Sequence, residues 1–567
     1  MENFFSDNPD ILWHFEHLEL DEIIANAEDD FTQSARFDDA PTSAADAREG
    51  YRAVLDMLGA IAAQEIAPLA AEVDLEGARF EHGEVTYARG TRRALAVLAR
   101  AGLMGFTLPR THGGLNIPGV LYTIATEIVS QADASLMNLF GLQDIAETIR
   151  EFASEEQKAK YLPKFASGEV TGAMILTEPD AGSDLQAVRL KAVPQPDGAW
   201  KLYGVKRFIT NGCGDVSLVL ARTEDGSTDG RGLSMLLCEK CPELVVRRIE
   251  NKLGIHGSPT CELQFNGVPA ELVGQRRLGL IRYVMSLMNG ARVAIAAQSV
   301  GIAQAAYEEA LKYARERTQF KKRIIEFPQV YDMLARMKSA LLAARAITYE
   351  ASRLVDLRRA YERRLAQAPG EEIRAKLKEI SGFAGVLTPI AKAYASERCN
   401  QVAYDAIQIQ GGAGFMRDCN VERLARDARI TSIYEGTTQL QVIGALPGVT
   451  AGTLGRFLDT LAAGPIPANL SELAALCGEA RAHLARALTH LKAAEDKTYL
   501  DYMARPLVDL ASEALAAHLF LRQAARDAGR ALQAEKFIRD ALPRIRMRTE
   551  VVTSGDRLTI EKHADLL

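Results

Sequence analysis

The spacing of apolar and polar residues changes three times along the chain. From Tyr51 to about Gly168, apolar positions return every three to four residues, as in RAVLDMLGAIAAQEIAPLAAEV and LYTIATEIVSQADASLMNLFGLQDIAETIREFA, which predicts a block of helices. Between about Val170 and Gly274 the period shortens to alternations such as WKLYGVKRFIT, VSLVLART, LSMLLCEK and CELQFNGV, separated by Gly, Asp, Asn and Pro. That pattern predicts strands forming a small β-barrel or sandwich. Helical periodicity resumes from Ile281 to about Ile443, in stretches long enough for neighbouring bundle helices, with a Pro-Gly turn offered by QAPGEE. After Leu446 the connectors LPGVTAG and GPIPAN lead into further Ala/Leu-rich helices. The opening 45 or so residues are acidic and irregular, and are expected to lie on the surface or pack loosely.

The expected fold class is therefore α+β with segregated elements. The divisions are a leader over 1–50, a helical domain over 51–170, a middle β-barrel over 171–275, a helical bundle over 276–445 and an added helical region over 446–567. A groove where a barrel meets bundles suits a flat cofactor. The chain has 567 residues, more than one hydrophobic core usually organises, and its 48% hydrophobic and 25% charged content is that of an ordinary globular protein.

A net charge of −7 argues against a nucleic-acid partner, which needs a concentrated basic surface. The start MENFFSDNPDILWHFEHLELDE lacks a positive n-region and a continuous apolar stretch, and no run approaches the roughly eighteen apolar residues that span a bilayer. No integral membrane segment and a cytoplasmic location are expected. The seven cysteines form no regular framework and are expected to be reduced. Cys238 and Cys241 make one CxxC without a second pair or nearby His-x-x-x-His spacing, so no metal site is expected.

Several motifs have residue types suited to a planar, phosphate-bearing ligand, although each has a plainer reading. In GAMILTEPDAGSDLQ (172–186), Gly182 and Ser183 allow backbone amides to approach an anion or ring, and Thr177 offers a hydroxyl; the same residues also make a good turn. KRFITNG (206–212) places Phe208 and Thr210 on one sheet face, where a ring and a hydroxyl could meet a flat ligand or simply join a core. RERTQFKKR (315–323) concentrates cations after a long helix, which favours a helix C-terminus without any ligand; Arg317 matters if a phosphate is present. IQIQGGAGF (407–415) sets Gln408 ahead of a glycine cluster that exposes amides or merely makes a loop.

The decapeptide SIYEGTTQLQ (432–441) contains one glutamate, Glu435, among apolar and hydroxyl residues, and no basic residue. Gly436, Thr437 and Thr438 read as the opening of another helix. A carboxylate at a poorly solvated helix entrance has its pKa raised by desolvation, toward a useful base, and lowered by the amide dipoles. A favourable charge in a helix first turn is the plainer reading.

Taken together, TEPDAGSD, KRFITNG, RERTQF, QIQGGAGF and RDARITSIYEGTTQLQ occur in an order and spacing that resembles the acyl-CoA dehydrogenase family, flavoproteins that oxidise CoA thioesters, over roughly Tyr51 to Ile443. The resemblance implies an N-terminal helical domain, a middle β-barrel and a C-terminal four-helix bundle. The added C-terminal helices look like those of the long bacterial members. It implies FAD as cofactor, an acyl-CoA substrate, an electron-transfer flavoprotein as electron acceptor and a homodimer. Glu435 would be the base for the α-proton, and Gly436 would lie near the substrate. Leu176, Thr177, Gly182, Ser183, Phe208 and Thr210 would contact the flavin or its pyrophosphate, with Ser183 also near the substrate. Arg317 and Phe320, from a neighbouring subunit, would meet the FAD phosphates and adenine side. Gln329, Gln408 and Gly412 would lie near the adenosine half, and Thr437 and Gln439 would complete the cradle. Asn289 and Arg292 would approach the pantetheine.

Four positions depart from the family pattern: Phe208 stands where Trp is common, Lys321 where Gly is usual, Arg323 near an expected small or apolar residue, and His256 where Arg is frequent, and His256 is assigned no catalytic role. Two other readings share the resemblance. An acyl-CoA oxidase would let oxygen reoxidise the flavin, and a flavin-bearing DNA-protecting protein would bind DNA through the added region, where PRIRMRTEVV is locally basic.

Overall fold

In the computed structural model, which describes residues 1–567 apart from the side chain of Asp144, the leader is folded rather than loose. Asn8 accepts the amides of Asp10 and Ile11, and Pro9 follows at the first helical position, so the chain enters a helix, α1 (Pro9–His17), followed by α2 (Asp21–Ala27). Phe5, Ile11, Leu20 and Ile24 are fully buried. Glu28 is buried too; Arg110 pairs with it at 2.5 Å and Tyr51 donates its hydroxyl at 3.2 Å. The expectation of a loosely packed leader is thus corrected: its acidic composition hid a spaced apolar set and a carboxylate with a buried cationic partner.

What anchors the leader is α3 (Ala44–Ile61). Asn3 Nδ2 donates to the Asp56 carbonyl at 3.0 Å and the Phe4 amide to that of Gly59 at 3.1 Å. A Cβ on Gly59 would lie 2.1 Å from Asn3 Oδ1 and 2.7 Å from the Phe5 nitrogen, so only glycine permits this approach. The helical path continues through a π-turn to α4 (Ala70–Glu76). This run, Ala44–Glu76, is long and apolar enough to cross a membrane by length and composition, with a best-window mean hydropathy of 1.4, a third of it buried. The sequence expectation counted unbroken apolar residues, whereas alanines and widely spaced charges satisfy an average. Tyr51, Leu55, Leu58, Ala62 and Ile66 form its buried stripe.

A short hairpin of β1 (Arg79–Glu81) and β2 (Glu84–Thr86) precedes α5 (Arg89–Arg100), α6 (Gly119–Ala132), α7 (Ala134–Gly141), α8 (Ile145–Phe152) and α9 (Glu155–Ser167). Nearly every residue of α6 is buried, marking it as a central helix. A capping box between Ser154 and Gln157 starts α9, and Gly168, at φ 75°, ends it.

Seven strands follow: β3 (Gly172–Ile175), β4 (Lys191–Pro194), β5 (Trp200–Thr210), β6 (Val216–Arg222), β7 (Leu233–Glu239), β8 (Leu244–Ile249) and β9 (Thr260–Leu272). They pair in the order β3-β6-β4-β5-β9-β7, β8 adds to β9, and a further antiparallel pairing of β6 with β7 closes the sheet into a barrel. Strands β6 and β7 are buried on both faces. Leu218, Leu220, Met235 and Leu237 pack outward with Ile149, Tyr161 and Phe165 of the helices, whereas Val219, Ala221 and Leu236 face inward with Leu202, Leu263 and Phe265. Their continuous apolar runs follow from being covered on both sides.

The later helices are α10 (Met285–Glu316), α11 (Pro328–Gln367), α12 (Glu371–Gln410), α13 (Asn420–Ile430) and α14 (Thr438–Thr450), with a hairpin of β10 (Thr318–Gln319) and β11 (Lys322–Arg323) between the first two. The added region supplies α15 (Thr453–Ala462), α16 (Ser471–Ala494), α17 (Lys497–Tyr502), α18 (Ala504–Arg526), α19 (Ala531–Thr553) and α20 (Leu558–Leu566). Two units divide the chain, Met1–Glu309 with Ala406–Thr431, and Ala310–Asp405 with Ser432–Leu567. Within the second, α18 is buried along most of its length and packs with α11, α14, α16 and α19. Its fully buried Glu513 is met by Arg398 at 2.5 Å and Arg544 at 2.7 Å.

Candidate functional site

In the first unit, two of the motifs are joined by backbone and by a buried ion pair. The Arg207 amide donates to the Thr177 carbonyl at 3.0 Å, tying β5 to the turn after β3. Glu178 and Ala181 exchange amide bonds at 3.0 and 3.2 Å, closing the EPDA turn. Beneath it, the Glu178 carboxylate accepts the amides of Arg189 and Leu190 at 2.8 and 2.9 Å and faces Lys206 Nζ at 3.1 Å. Lys206 also donates to the Leu176 carbonyl at 2.6 Å. Burial pulls its pKa down to about 8, against the opposing pull of Glu178.

This pair holds the loop whose outer residues are the expected contacts. Leu176 is buried, Thr177 half-buried, and Gly182 and Ser183 exposed. A register shift in the β5–β9 pairing between Lys206 and Ile209 turns Lys206 inward and leaves Phe208 53% exposed at φ 61°. Thr210, two residues on, is half-buried. The Arg207 guanidinium sits 4.7 Å from the centre of the Phe208 ring and donates to Glu250 at 2.9 Å. An exposed ring, two hydroxyls and a loop open to solvent at Gly182 form a donor set that fits a planar, hydroxyl-bearing cofactor such as FAD.

Asn289 and Arg292, also in this unit, lie one turn apart on α10, Arg292 Nη1 donating to Asn289 Oδ1 at 3.2 Å. Gln408 and Gly412 are both exposed, and no heavy atom lies within 4 Å of where a Gly412 Cβ would be. The amide of Ile255 donates at 2.5 Å to Asp427, in the RDARIT motif, whose pKa burial raises to about 6. His256 Nδ1 lies 2.9 Å from the Asp74 carboxylate.

In the second unit, Arg317, Phe320 and Gln329 are gathered about the β10–β11 hairpin. The Ile324 amide returns to the Arg317 carbonyl at 2.8 Å, and Phe320 and Lys321 take left-handed φ values of 50° and 64° at the tip. Phe320 is 89% exposed, its ring edge-on to Phe327, and Gln329 lies in the first turn of α11.

Glu435 is half-buried at φ 53°, followed by Gly436 at φ 88°. Two successive left-handed residues bend the chain sharply into α14, and a non-glycine residue held there costs energy that its surroundings must offset. Gln441 Nε2 donates to the carbonyls of Glu435 and Gly436 at 3.0 and 3.1 Å, and the buried Lys392 Nζ donates to the latter at 2.6 Å. Thr437 caps the helix by accepting the Leu440 amide. Thr438 Oγ1 donates to Glu397 at 2.7 Å, and Arg505, from α18, reaches the same carboxylate at 3.7 Å. Gln439 is exposed.

The sequence reading missed Glu178, Lys206, Lys392 and Gln441, which hold backbone in place. Its available signal was Lys206, a cation inside a strand pattern between apolar neighbours. Among the described residues none of the seven cysteines is in a disulfide, and no group of three His, Cys, Asp or Glu suited to a metal occurs.

Family models for the acyl-CoA dehydrogenase N-terminal, middle and C-terminal domains match residues 48–169, 173–268 and 281–444, and one for an acyl-CoA dehydrogenase C terminal matches 450–553. The chain is 37% identical over 481 residues to 3-methylmercaptopropionyl-CoA dehydrogenase of Ruegeria pomeroyi, covering 78% of this chain and 79% of that one. It is also 37% identical to an acyl-CoA dehydrogenase of Bacillus subtilis, over 61% and 86% of the respective lengths. Among solved structures, butyryl-CoA dehydrogenase from Megasphaera elsdenii matches with a TM-score of 0.60 at 30% identity, over 70% of this chain and 96% of that one. An acyl-CoA dehydrogenase complexed with FAD from Bacillus anthracis shares the fold over 88% of both chains, with a TM-score of 0.74 at 24% identity. Matches of this extent, on a helical, barrel and helical architecture with an added helical region, place the chain in the acyl-CoA dehydrogenase family of FAD-binding oxidoreductases.

Proposed function

We propose that this chain removes hydrogen from the α and β carbons of an acyl-CoA thioester, with Glu435 as the base that takes the α-proton. The observation that carries the reading is the backbone at Glu435: a left-handed glutamate whose carbonyl, and the next, are held by Gln441 and Lys392. That arrangement spends conformational energy on placing one carboxylate. An α-proton of a thioester is very weakly acidic, so the base must be positioned and enolate character stabilised in a site screened from water. FAD, when bound, accepts the β-hydrogen as hydride.

Within this reading, Leu176, Thr177, Gly182, Ser183, Phe208, Thr210, Thr437 and Gln439 serve the flavin and its pyrophosphate. Arg317, Phe320, Gln329, Gln408 and Gly412 serve the adenosine half. Asn289, Arg292, Ser183 and Gly436 serve the substrate. The exposure of Phe320 suits a surface completed by a second copy, and we propose a homodimer. Electrons pass on to an electron-transfer flavoprotein; a chain from a structure of the electron transferring flavoprotein of Acidaminococcus fermentans matches at 32% identity with a TM-score of 0.61. The proposed location is the cytoplasm.

Glu435→Gln tests the assignment. The variant should retain FAD but lose anaerobic bleaching of the flavin by CoA thioesters, because glutamine cannot accept the proton. Bleaching at the wild-type rate would overturn the role given to Glu435.

A further inference from the structure

Arg222, the last residue of β6, joins two loops through one guanidinium. Its Nε donates to the Val188 carbonyl at 3.0 Å and its Nη2 to the Gln186 carbonyl at 2.7 Å. Its Nη1 donates to the Ser227 carbonyl at 2.8 Å, the Ser227 hydroxyl at 3.0 Å and the Asp229 carbonyl at 3.2 Å. Every one of these acceptors is uncharged. A guanidinium carries its donors in a fixed plane, so it satisfies them all only when both loops hold one arrangement. Gly232 leaves the room for it: a Cβ there would clash with Ser227 Oγ and lie 2.7 Å from Arg222 Nη1. Backbone bonds complete the frame, the Arg222 amide donating to the Leu190 carbonyl at 2.8 Å and the Thr223 amide to that of Gly232 at 3.0 Å.

The first loop leads straight from Ser183. Asp184 Oδ1 accepts the Gln186 amide at 3.1 Å and the Asp184 carbonyl accepts that of Ala187 at 3.3 Å, so Ser183 is followed by a short, internally bonded turn that Arg222 then anchors. Ahead of Ser183 the chain is fixed by Glu178 and Lys206. The second loop reaches the helix that carries the other two residues of interest. A Cβ on Gly230 would lie 3.1 Å from Leu280 Cδ2 and 3.7 Å from both Gln186 Cγ and Ile281 Cγ2. The tip thus meets both the first loop and the π-helical turn, Gly279–Val284, that runs into α10, where Asn289 and Arg292 lie further along.

We propose that Arg222 is a positioning residue for the CoA thioester, acting through both loops to hold Ser183 and the start of α10 in the arrangement that receives substrate. The inference rests on the function proposed above, which makes Ser183, Asn289 and Arg292 substrate contacts. Loops already set in the bound arrangement spare the ordering cost of binding, so their release weakens substrate affinity before it slows the chemistry. Charge alone does not supply this. Lysine presents a single ammonium, which cannot serve the Val188, Gln186 and Ser227 carbonyls together.

The test compares the full-length flavoprotein with its Arg222→Lys, Arg222→Met and Gly232→Ala variants, using butyryl-CoA or octanoyl-CoA, whichever bleaches the wild type faster. The concentration giving half the maximal anaerobic bleaching rate should rise about tenfold in each variant, the change expected from one charge-assisted hydrogen bond, while the limiting rate and FAD content stay within about twofold of wild type. A second readout needs no substrate. Trypsin can cut after Arg231, which is exposed in the clamped loop, and fragments ending there should form about tenfold faster in the variants. An Arg222→Lys protein that matches wild type would overturn the proposal, as would an unchanged cutting rate, or a limiting rate or FAD content that falls as steeply as the half-saturating concentration rises. If neither thioester nor any other CoA thioester bleaches the wild type, the function proposed above fails and the substrate role with it, while the cutting rates still decide whether Arg222 clamps the loops. Gly232→Ala, which keeps the guanidinium but crowds it, carries the test if an Arg222 variant does not fold.

Discussion

Replacing Lys206 by methionine isolates what the buried ion pair under the EPDA turn contributes. The substitution keeps the stem volume and removes the ammonium that lies 3.1 Å from Glu178 and donates to the Leu176 carbonyl at 2.6 Å. Deleting one partner of a buried pair costs about 3–5 kcal/mol because the remaining charge is left without compensation. Glu178 keeps two amide donors, Arg189 and Leu190, each worth about 1.5–3 kcal/mol as a charge-assisted bond, so the low end, about 3 kcal/mol, is expected. The chain has two tryptophans, Trp13 and Trp200, so equilibrium unfolding followed by Trp200 fluorescence in a Trp13→Phe background reports on the barrel. Glu178→Gln/Lys206→Met, a neutral pair, should recover part of the loss. The pH dependence adds a second signature. The folded state holds Lys206 at about 8, below the ordinary 10.5, so the unfolded chain binds more protons between those values. Wild-type stability from this group therefore rises through that window, by about 3 kcal/mol at most, a gain that Lys206→Met lacks. An unchanged unfolding midpoint, or a double variant less stable than Lys206→Met alone, would refute the reasoning.

Asp427→Asn should flatten the acid limb of the stability profile. Burial raises Asp427 from 3.8 to about 6, so its favourable contribution is complete below the first value and is lost as pH rises through the second, by about 3 kcal/mol at most; parallel wild-type and variant curves between those limits would contradict it. Gly59→Ala should free the leader at a cost of about 1–3 kcal/mol, since the new methyl meets Asn3 and the Phe5 backbone. Faster proteolytic cutting ahead of α3 is the readout, and an unchanged cutting rate would count against the close approach.

Legibility in the sequence followed locality. The helix-to-strand changes of period, the Pro-Gly break between α11 and α12 and the helix opening after Glu435 are encoded within a few residues each, and the structure has α14 capped by Thr437. Contacts distant in sequence were hidden. Glu178 and Lys206 were both inside quoted motifs, but their pairing depends on a strand irregularity that turns a lysine inward, which no alternation pattern registers. The leader's fate turned on Arg110 reaching Glu28 across the fold. LPGVTAG looked like a connector because Pro447 and Gly448 disfavour helix, yet α14 runs through both to Thr450, its buried residues Leu446 and Val449 supplying the packing that propensity lacks. The positions assigned from family resemblance lie mostly on exposed loops and helix starts, where backbone conformation rather than side-chain pattern carries the information.

The burial of α18 changes how the added region should be regarded. Shorter relatives invite the idea of trimming this chain at about residue 450 to obtain a minimal enzyme. Yet α18 presses its apolar length against α11 and α14, and Arg398 would lose the Glu513 carboxylate that balances it. A cut there would strip the helix that begins just beyond Glu435 of its backing and bare a greasy seam to water, so the truncated protein is expected to aggregate. The tail is a keystone, and the smallest working version of this molecule is close to all of it.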